Sequence, residues 1–152
     1  MDLYDFLQDM KNILHGERGG VFLDNDELAS VLLTYPACLI AAADGNVDEA
    51  ERLFLLNISE ELGEVDVSKS HEARLKSAER FRAFMWLLNE RKKYDHKILN
   101  GIALFLKDNP ESKVHIKNMM WGMAEASQGV SAVEKNEIAR ISKILSIEET
   151  IN

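Results

Sequence analysis

The sequence predicts an all-α protein, a compact bundle of about seven helices that contains two copies of a helix–acidic turn–helix unit. Apolar residues recur every three or four positions along most of the 152-residue chain, and the alternation that marks strands is nearly absent. Hydrophobic residues make up 46% and charged residues 29%, which is typical of a globular protein. No linker or low-complexity segment interrupts the pattern, so we expect residues 1–152 to form one domain.

The first two predicted helices differ in how far apolar residues spread around them. The second helix begins at Asp24 or Asn25, either of which can cap it, and runs to Ala43. It is apolar nearly all round and should therefore lie at the centre of the fold. The first helix is amphipathic and stops at the glycine-rich segment 15–20. Its apolar face consists of Leu3, Phe6, Leu7, Met10, Ile13 and Leu14.

A proline stands inside the second predicted helix. Pro36 has no N–H with which to bond the carbonyl of Leu32. We therefore expect either a kink at this point or a new helical start that is capped by Thr34.

The third and the last predicted helices both begin with a capping box, in which a cap and a glutamate three residues later bond each other's backbone. Asp48 and Glu51 form this pattern at the start of the third helix, which runs to about Leu62. Ser131 and Glu134 form it again before the last helix. That helix should bury Ile138, Ile141, Ile144 and Leu145.

Three helices are predicted between these two. The fourth spans roughly residues 70–91 and the fifth about 94–107. Asn109, Pro110 and Glu111 supply a cap, a first-turn proline and an acid, so a sixth helix should follow them as far as Ala126. The fourth helix has an apolar face, which carries Leu75, Ala78, Phe81, Met85 and Leu88.

Residues 39–51 and 122–134 can be laid over each other as two copies of one unit. Each copy has a helix that ends in small residues, then a glycine, a valine, a capping residue and a glutamate three positions later. The glycine suits a left-handed turn, the valine can pack beneath it, and the cap starts the next helix. These residues are Gly45, Val47, Asp48 and Glu51 in the first unit and Gly129, Val130, Ser131 and Glu134 in the second.

The run from Ala42 to Glu51, Ala-Ala-Asp-Gly-Asn-Val-Asp-Glu-Ala-Glu, resembles the signature of the TerB-like (tellurite resistance protein B) family. The spacing of the second unit, the order of the elements and the length are also similar, and the resemblance covers about Leu28 to Ile147. The chain departs from the family at Gln128, where members commonly have the aspartate of a second Asp-Gly pair.

The resemblance implies a helical bundle with an acidic surface and a bacterial role, cytoplasmic or membrane-associated, in resistance to tellurite and related chemical stress. Members of the family occur together with calcium-binding TerD-like proteins and a TerC-like membrane protein. The same domain also precedes a membrane-anchored DnaJ-type co-chaperone. The role usually proposed for the family is scaffolding or the binding of a divalent metal.

The acidic turn of the first unit is a candidate cation site, because Asp44, Asp48 and Glu51 supply the oxygen ligands that hard cations prefer. An EF-hand is excluded, since Ile40 and Ala42 would occupy its first and third ligand positions. A looser and weaker site could combine both units, with carboxylates from Glu125 and Glu134. Helix capping alone also explains the spacing of Asp48, Glu51 and Glu134, and we favour that interpretation.

Other features of the sequence limit the classes of function. The net charge of −8 disfavours binding to nucleic acid or to anionic membranes, and it favours cations or basic protein surfaces. No apolar run is long enough for a transmembrane segment, so any membrane association would be indirect, through a partner. Cys38 is the single cysteine; we expect it to be buried and the protein to reside in a reducing cytosol.

No catalytic set is evident, so we do not expect an enzyme or a firmly bound cofactor. The four histidines, His15, His71, His96 and His115, have no metal-site spacing and read as isolated surface residues. Residues 119–123 place three methionines and a tryptophan beside the second turn, where core packing explains them best. Arg91, Lys92 and Lys93 read as a solvated helix end.

Two functional hypotheses follow. The first is a non-enzymatic TerB-like module that binds a protein partner through its acidic face, with or without a weakly bound divalent cation. The second is an adaptor, immunity-type or co-chaperone-type domain that uses the same fold without a metal. Binding of a metal distinguishes the two.

Overall fold

A computed structural model describes residues 2–16, 20–45, 47–62, 70–126 and 129–148. Within these ranges the chain is all-α, with seven helices and no strand, as the sequence predicts. The helices are α1 (Leu3–Gly16), α2 (Asn25–Ala41), α3 (Glu49–Glu61), α4 (His71–Asn89), α5 (Arg91–Asp108), α6 (Ser112–Ala126) and α7 (Ala132–Leu145). None of the helices in the described part of the chain is long and apolar enough to cross a bilayer.

Helix α2 lies at the centre of the bundle. Eleven of its seventeen residues are buried, including every residue from Thr34 to Ala41. All six other helices pack against it, and α6 does so most extensively. Residues from all seven helices join one apolar core, which includes Leu39 of the first unit and Ile141 of α7, the helix that the second unit begins. The two units therefore pack into one core.

Helix α2 is continuous through Pro36, so the predicted restart at Thr34 is wrong. The Thr34 hydroxyl instead donates to the carbonyl of Ser30 at 2.9 Å, which satisfies a buried hydroxyl without opening the helix. The cap at the start of α2 is as predicted. The side chain of Asp24 accepts a hydrogen bond from the backbone N–H of Glu27 at 2.8 Å.

The buried face of α4 differs in part from the predicted apolar face: of that face, Leu88 is buried, and Phe81 and Met85 are half-buried. Leu75 and Ala78 are exposed, and the residues that are buried are Ser77, Arg80, Ala83, Phe84, Leu87 and Leu88. The buried face is rotated relative to the predicted apolar face because it includes a buried arginine. The spacing of apolar residues does not indicate a buried charged residue. Arg80 is only 3% exposed; its Nε donates to the carbonyl of Ser59 at 2.7 Å and its Nη1 to Glu27 Oε2 at 3.2 Å. Arg80 thereby joins α2, α3 and α4.

Two helix boundaries also differ from the prediction. Only Glu90 separates α4 from α5, so Arg91, Lys92 and Lys93 open α5 rather than close α4. Asn109 caps the C-terminal end of α5, where its side-chain amide donates to the carbonyl of Phe105 at 3.1 Å. A turn then leads into α6 at Ser112.

The turns of the two units have the predicted local chemistry. Gly45 and Gly129 both adopt positive φ angles, +99° and +93°, where a side chain would be strained. Val47 and Val130 are half-buried against the core. Both predicted capping boxes are present, with Asp48 before α3 and Ser131 before α7.

The contact of α1 with α5 depends on Gly101, which is buried within α5. A methyl group at this position would overlap the ring of Phe6, itself buried on α1. The absence of a side chain therefore lets the two helices approach.

We predict that Ser131→Ala lowers the free energy of unfolding by about 1 kcal/mol, because α7 loses its cap. Ser131→Asn is the matched control, since asparagine caps as well as serine and should keep nearly wild-type stability. Chemical denaturation with an unchanged slope measures both. Equal midpoints for Ser131→Ala and wild type would show that Ser131 contributes nothing as a cap.

We predict that Gly101→Ala destabilises the fold by about 1–3 kcal/mol through overpacking, although alanine is the better helix former. Gly16→Ala is the control, because a methyl group there meets no atom within 4 Å. Adding Phe6→Leu should recover part of the stability lost by Gly101→Ala. Thermal denaturation would contradict this account if Gly101→Ala were as stable as wild type.

Candidate acidic site at the paired turns

The acidic site is built from the two turns that join α2 to α3 and α6 to α7. Helix α6 packs against α2, α3 and α7, and α7 also packs against α2, so the two units lie side by side. Each turn ends in a capping box at the start of a helix, where the positive end of the helix dipole favours a carboxylate.

The glutamates of the two capping boxes are buried. Glu51 is 2% exposed and Glu134 is 6% exposed. Each accepts a hydrogen bond at 3.0 Å through Oε1, Glu51 from the N–H of Asp48 and Glu134 from the N–H of Ser131. In return, Asp48 Oδ1 accepts from the N–H of Glu51 at 2.8 Å, and Ser131 Oγ accepts from that of Glu134 at 3.1 Å. These bonds fix both carboxylates at the ends of their helices.

The two units are close enough for their charges to interact. Burial raises the pKa of Glu51 from its ordinary value of 4.5 to about 7, against the lowering effect of its hydrogen bond from Asp48. The negative charges of Asp48, Glu134 and Asp44 contribute to the same rise. Glu134 belongs to the other unit, so packing has brought carboxylates of both units together around one buried acid.

The five residues that the sequence predicts as cation ligands therefore differ in how far they are buried. Glu51 and Glu134 are buried, whereas Asp44 and Asp48 are exposed on the first turn. Glu125 is exposed near the end of α6. Gln128, the departure from the family pattern, lies outside the described residues.

The chemistry of this site suits a hard cation, but the arrangement is that of helix caps. Carboxylate oxygens are what calcium and magnesium bind. Among the residues that the structure describes, however, no three histidine, cysteine or acidic side chains are grouped as metal ligands would be. One oxygen of each of Asp48, Glu51 and Glu134 already accepts a backbone hydrogen bond. A cation would have to use the remaining oxygens or move these side chains.

Comparison of the chain with protein-family models, with curated proteins and with solved structures finds no match. The resemblance to the TerB-like family consequently stays a prediction that rests on the two turn motifs.

Several single-residue expectations are confirmed. Cys38 is fully buried, and burial raises the pKa of its thiol. All four histidines are exposed. Met120 and Met123 lie in the core, with Met119 and Trp121 half-buried against it.

Sequence reasoning missed two groups that the fold assembles. One is the ion pair between the buried Arg80 and Glu27. Burial raises the pKa of Glu27. The other joins Arg140 of α7 to Asp95 of α5 at 3.1 Å. Ser77, Arg80, Phe84 and Leu87 recur at helical spacing and lie on the same face of α4. A polar residue at such a position within an apolar stripe is the sequence signal that indicates a buried Arg80.

The raised pKa of Glu51 predicts a pH-dependent stability. The folded state holds this proton up to about pH 7, whereas the unfolded chain releases it near its ordinary pKa of 4.5. Protonation of Glu51 therefore contributes its full stabilisation of the folded state below pH 4.5, and this stabilisation is lost as the pH rises to 7. Glu51→Gln keeps an acceptor for the N–H of Asp48 and carries no charge. We expect this variant to gain stability relative to wild type across that window, by on the order of 1–3 kcal/mol.

Urea denaturation of wild type and Glu51→Gln at several pH values measures this difference. Glu60→Gln, an exposed substitution in the last turn of the same helix, controls for the exchange of carboxylate for amide. A constant difference between wild type and Glu51→Gln from pH 4 to pH 8 would contradict the prediction.

Proposed function

We propose that this chain is a non-enzymatic binding module of the TerB-like kind, which binds a basic protein surface through the acidic site at its paired turns. The observation that carries the proposal is the buried pair of carboxylates, Glu51 and Glu134, which two equivalent units bring together. Like charges that are packed together cost stability. A cationic group from a partner would relieve this cost and gain binding energy from the relief.

The charge of the whole chain supports the same kind of partner. A net charge of −8 speeds the encounter with positively charged surfaces and opposes binding to phosphate-rich ones. Asp44 and Asp48 are exposed beside the buried pair, so a partner would meet them first. By the resemblance of residues 42–51, we assign the module to the response to tellurite or related chemical stress.

A divalent cation is the second element of the proposal. It would bind weakly, because the carboxylates are already committed to capping and no complete ligand set is grouped within the described ranges. Asp44, Asp48, Glu51 and Glu134 would provide its oxygens, with Glu125 as an outer ligand. We expect such an ion to adjust the charge of the surface that the partner meets.

The alternative is a metal-independent adaptor, of the immunity or co-chaperone type, on the same fold. The capping boxes favour it, because they account for Asp48, Glu51, Ser131 and Glu134 without an ion. The two forms of the proposal share the acidic surface and differ only in whether a divalent cation binds there.

We predict that millimolar calcium or magnesium raises the melting temperature of wild type a little, that micromolar concentrations do not, and that Asp44→Asn with Glu51→Gln abolishes the increment. An ion that binds only the folded state stabilises it by mass action. The quantity to compare is the shift caused by the metal in each protein, because the substitutions also change stability without metal. The matched control is Asp108→Asn with Glu111→Gln, two exposed acids at the α5–α6 junction.

A second titration with an oligolysine peptide, followed by NMR, tests the protein-binding surface directly. We expect amide shifts centred on residues 44–51 and 129–134, which weaken in the Asp44→Asn, Glu51→Gln variant but not in the control. Equal metal shifts in all three proteins would rule out the cation at these residues. Peptide-induced shifts spread evenly over all acidic residues would rule out the acidic site as a specific surface.

A further inference from the structure

A cavity of about 340 Å³ opens between the first turns of α5 and the middle of α7. Leu39 of α2 contributes an apolar side chain to its lining. The remaining lining residues are all polar or charged: Arg91, Lys92, Asp95 and His96 from α5, and Glu137 and Arg140 from α7. Its volume falls within the range of small-molecule sites.

Arg140 is held rigidly at the wall of this cavity. Its Nε and Nη2 donate to the two carboxylate oxygens of Glu137, and its Nη1 donates to Asp95 Oδ2 at 3.1 Å. Asp95 is oriented in turn by the hydroxyl of the buried Tyr35, which donates to Oδ1 at 3.4 Å. A guanidinium carries five N–H donors, and these bonds use three of them. Two donors remain on a group that is already fixed in place.

The other basic side chains of the cavity make fewer hydrogen bonds than Arg140. Lys92 and His96 are exposed. Arg91 is half-buried, and its Nη1 donates to the carbonyl of Leu88 at 2.6 Å, which positions the side chain at the junction of α4 and α5. The two carboxylates of the cavity, Asp95 and Glu137, are both paired with Arg140. The lining therefore holds three permanently cationic side chains, Arg91, Lys92 and Arg140, against two carboxylates, on a chain whose net charge is −8.

We propose that this cavity is a binding site for a small molecule that carries a phosphate group. The phosphate would accept hydrogen bonds from the remaining donors of Arg140 and from Lys92 and His96, with Arg91 adding positive charge. A dianion with three terminal oxygens suits several N–H donors on different walls, of which those of lysine and arginine are charged. The cavity is larger than one phosphate, so the rest of the ligand would lie against Leu39. This site is separate from the acidic surface, and the proposal does not depend on it.

The test is an NMR titration with sodium phosphate and with glycerol 3-phosphate at fixed pH, with sodium chloride added to hold the ionic strength constant. We expect saturable amide shifts centred on residues 91–96 and 137–140, with the ester binding at least as tightly as the inorganic ion. Lys92→Gln with His96→Gln should weaken binding about tenfold, because charge-assisted hydrogen bonds are lost. Both side chains are exposed and Arg140 is left in place, so the fold should be retained.

The matched control is Lys107→Gln with His115→Gln, which removes the same side chains from exposed positions outside the cavity. This control should bind phosphate as wild type does. Three results would overturn the proposal: shifts that do not saturate, shifts centred elsewhere on the protein, or equal weakening in the variant and the control. The last would mean that net charge alone attracts the anion.

Discussion

The structure depends on the need to cover α2 on every side. Its residues are apolar nearly all round, so no single neighbour could remove it from water, and all six other helices pack against it. This requirement sets the arrangement of the remaining elements. Helix α6 makes the most extensive contact with α2, and the charge of Glu134, which follows α6 in the chain, acts on Glu51, which follows α2. The pairing of the acidic units is thus a result of burying the central helix.

The paired turns place local and tertiary stability in opposition. Each helix start gains from a side-chain oxygen that accepts a hydrogen bond from the backbone of its own cap, and in both units this oxygen belongs to a glutamate, Glu51 or Glu134. Packing of the units then buries both acids and brings their charges into range of each other. The cost is evident at the paired turns, where the pKa of Glu51 is raised to about 7. Sites at which a local preference and the global fold disagree are reasonable places to look for binding.

Whether the sequence could predict a feature depends on how far apart in the chain its interacting residues lie. Both capping boxes and the cap at Asp24 involve residues three apart, and their patterns were sufficient. The central position of α2 followed from its composition alone. The buried face of α4 could not be predicted in this way, because Arg80 is satisfied by Glu27 and by the carbonyl of Ser59, which come from two other helices. Likewise the repeat suggested that Glu51 and Glu134 would approach, but only the fold reveals that both are buried.

The dependence of α2 on α6 also affects how the protein is made. A ribosome releases α2 early, whereas α6 emerges only after α3, α4 and α5. Until then the most apolar helix of the chain lacks its largest covering surface and must be shielded by incomplete packing or by a chaperone. A premature stop within α5 would therefore yield a product with this helix uncovered, prone to aggregation and open to proteases, instead of a smaller working domain.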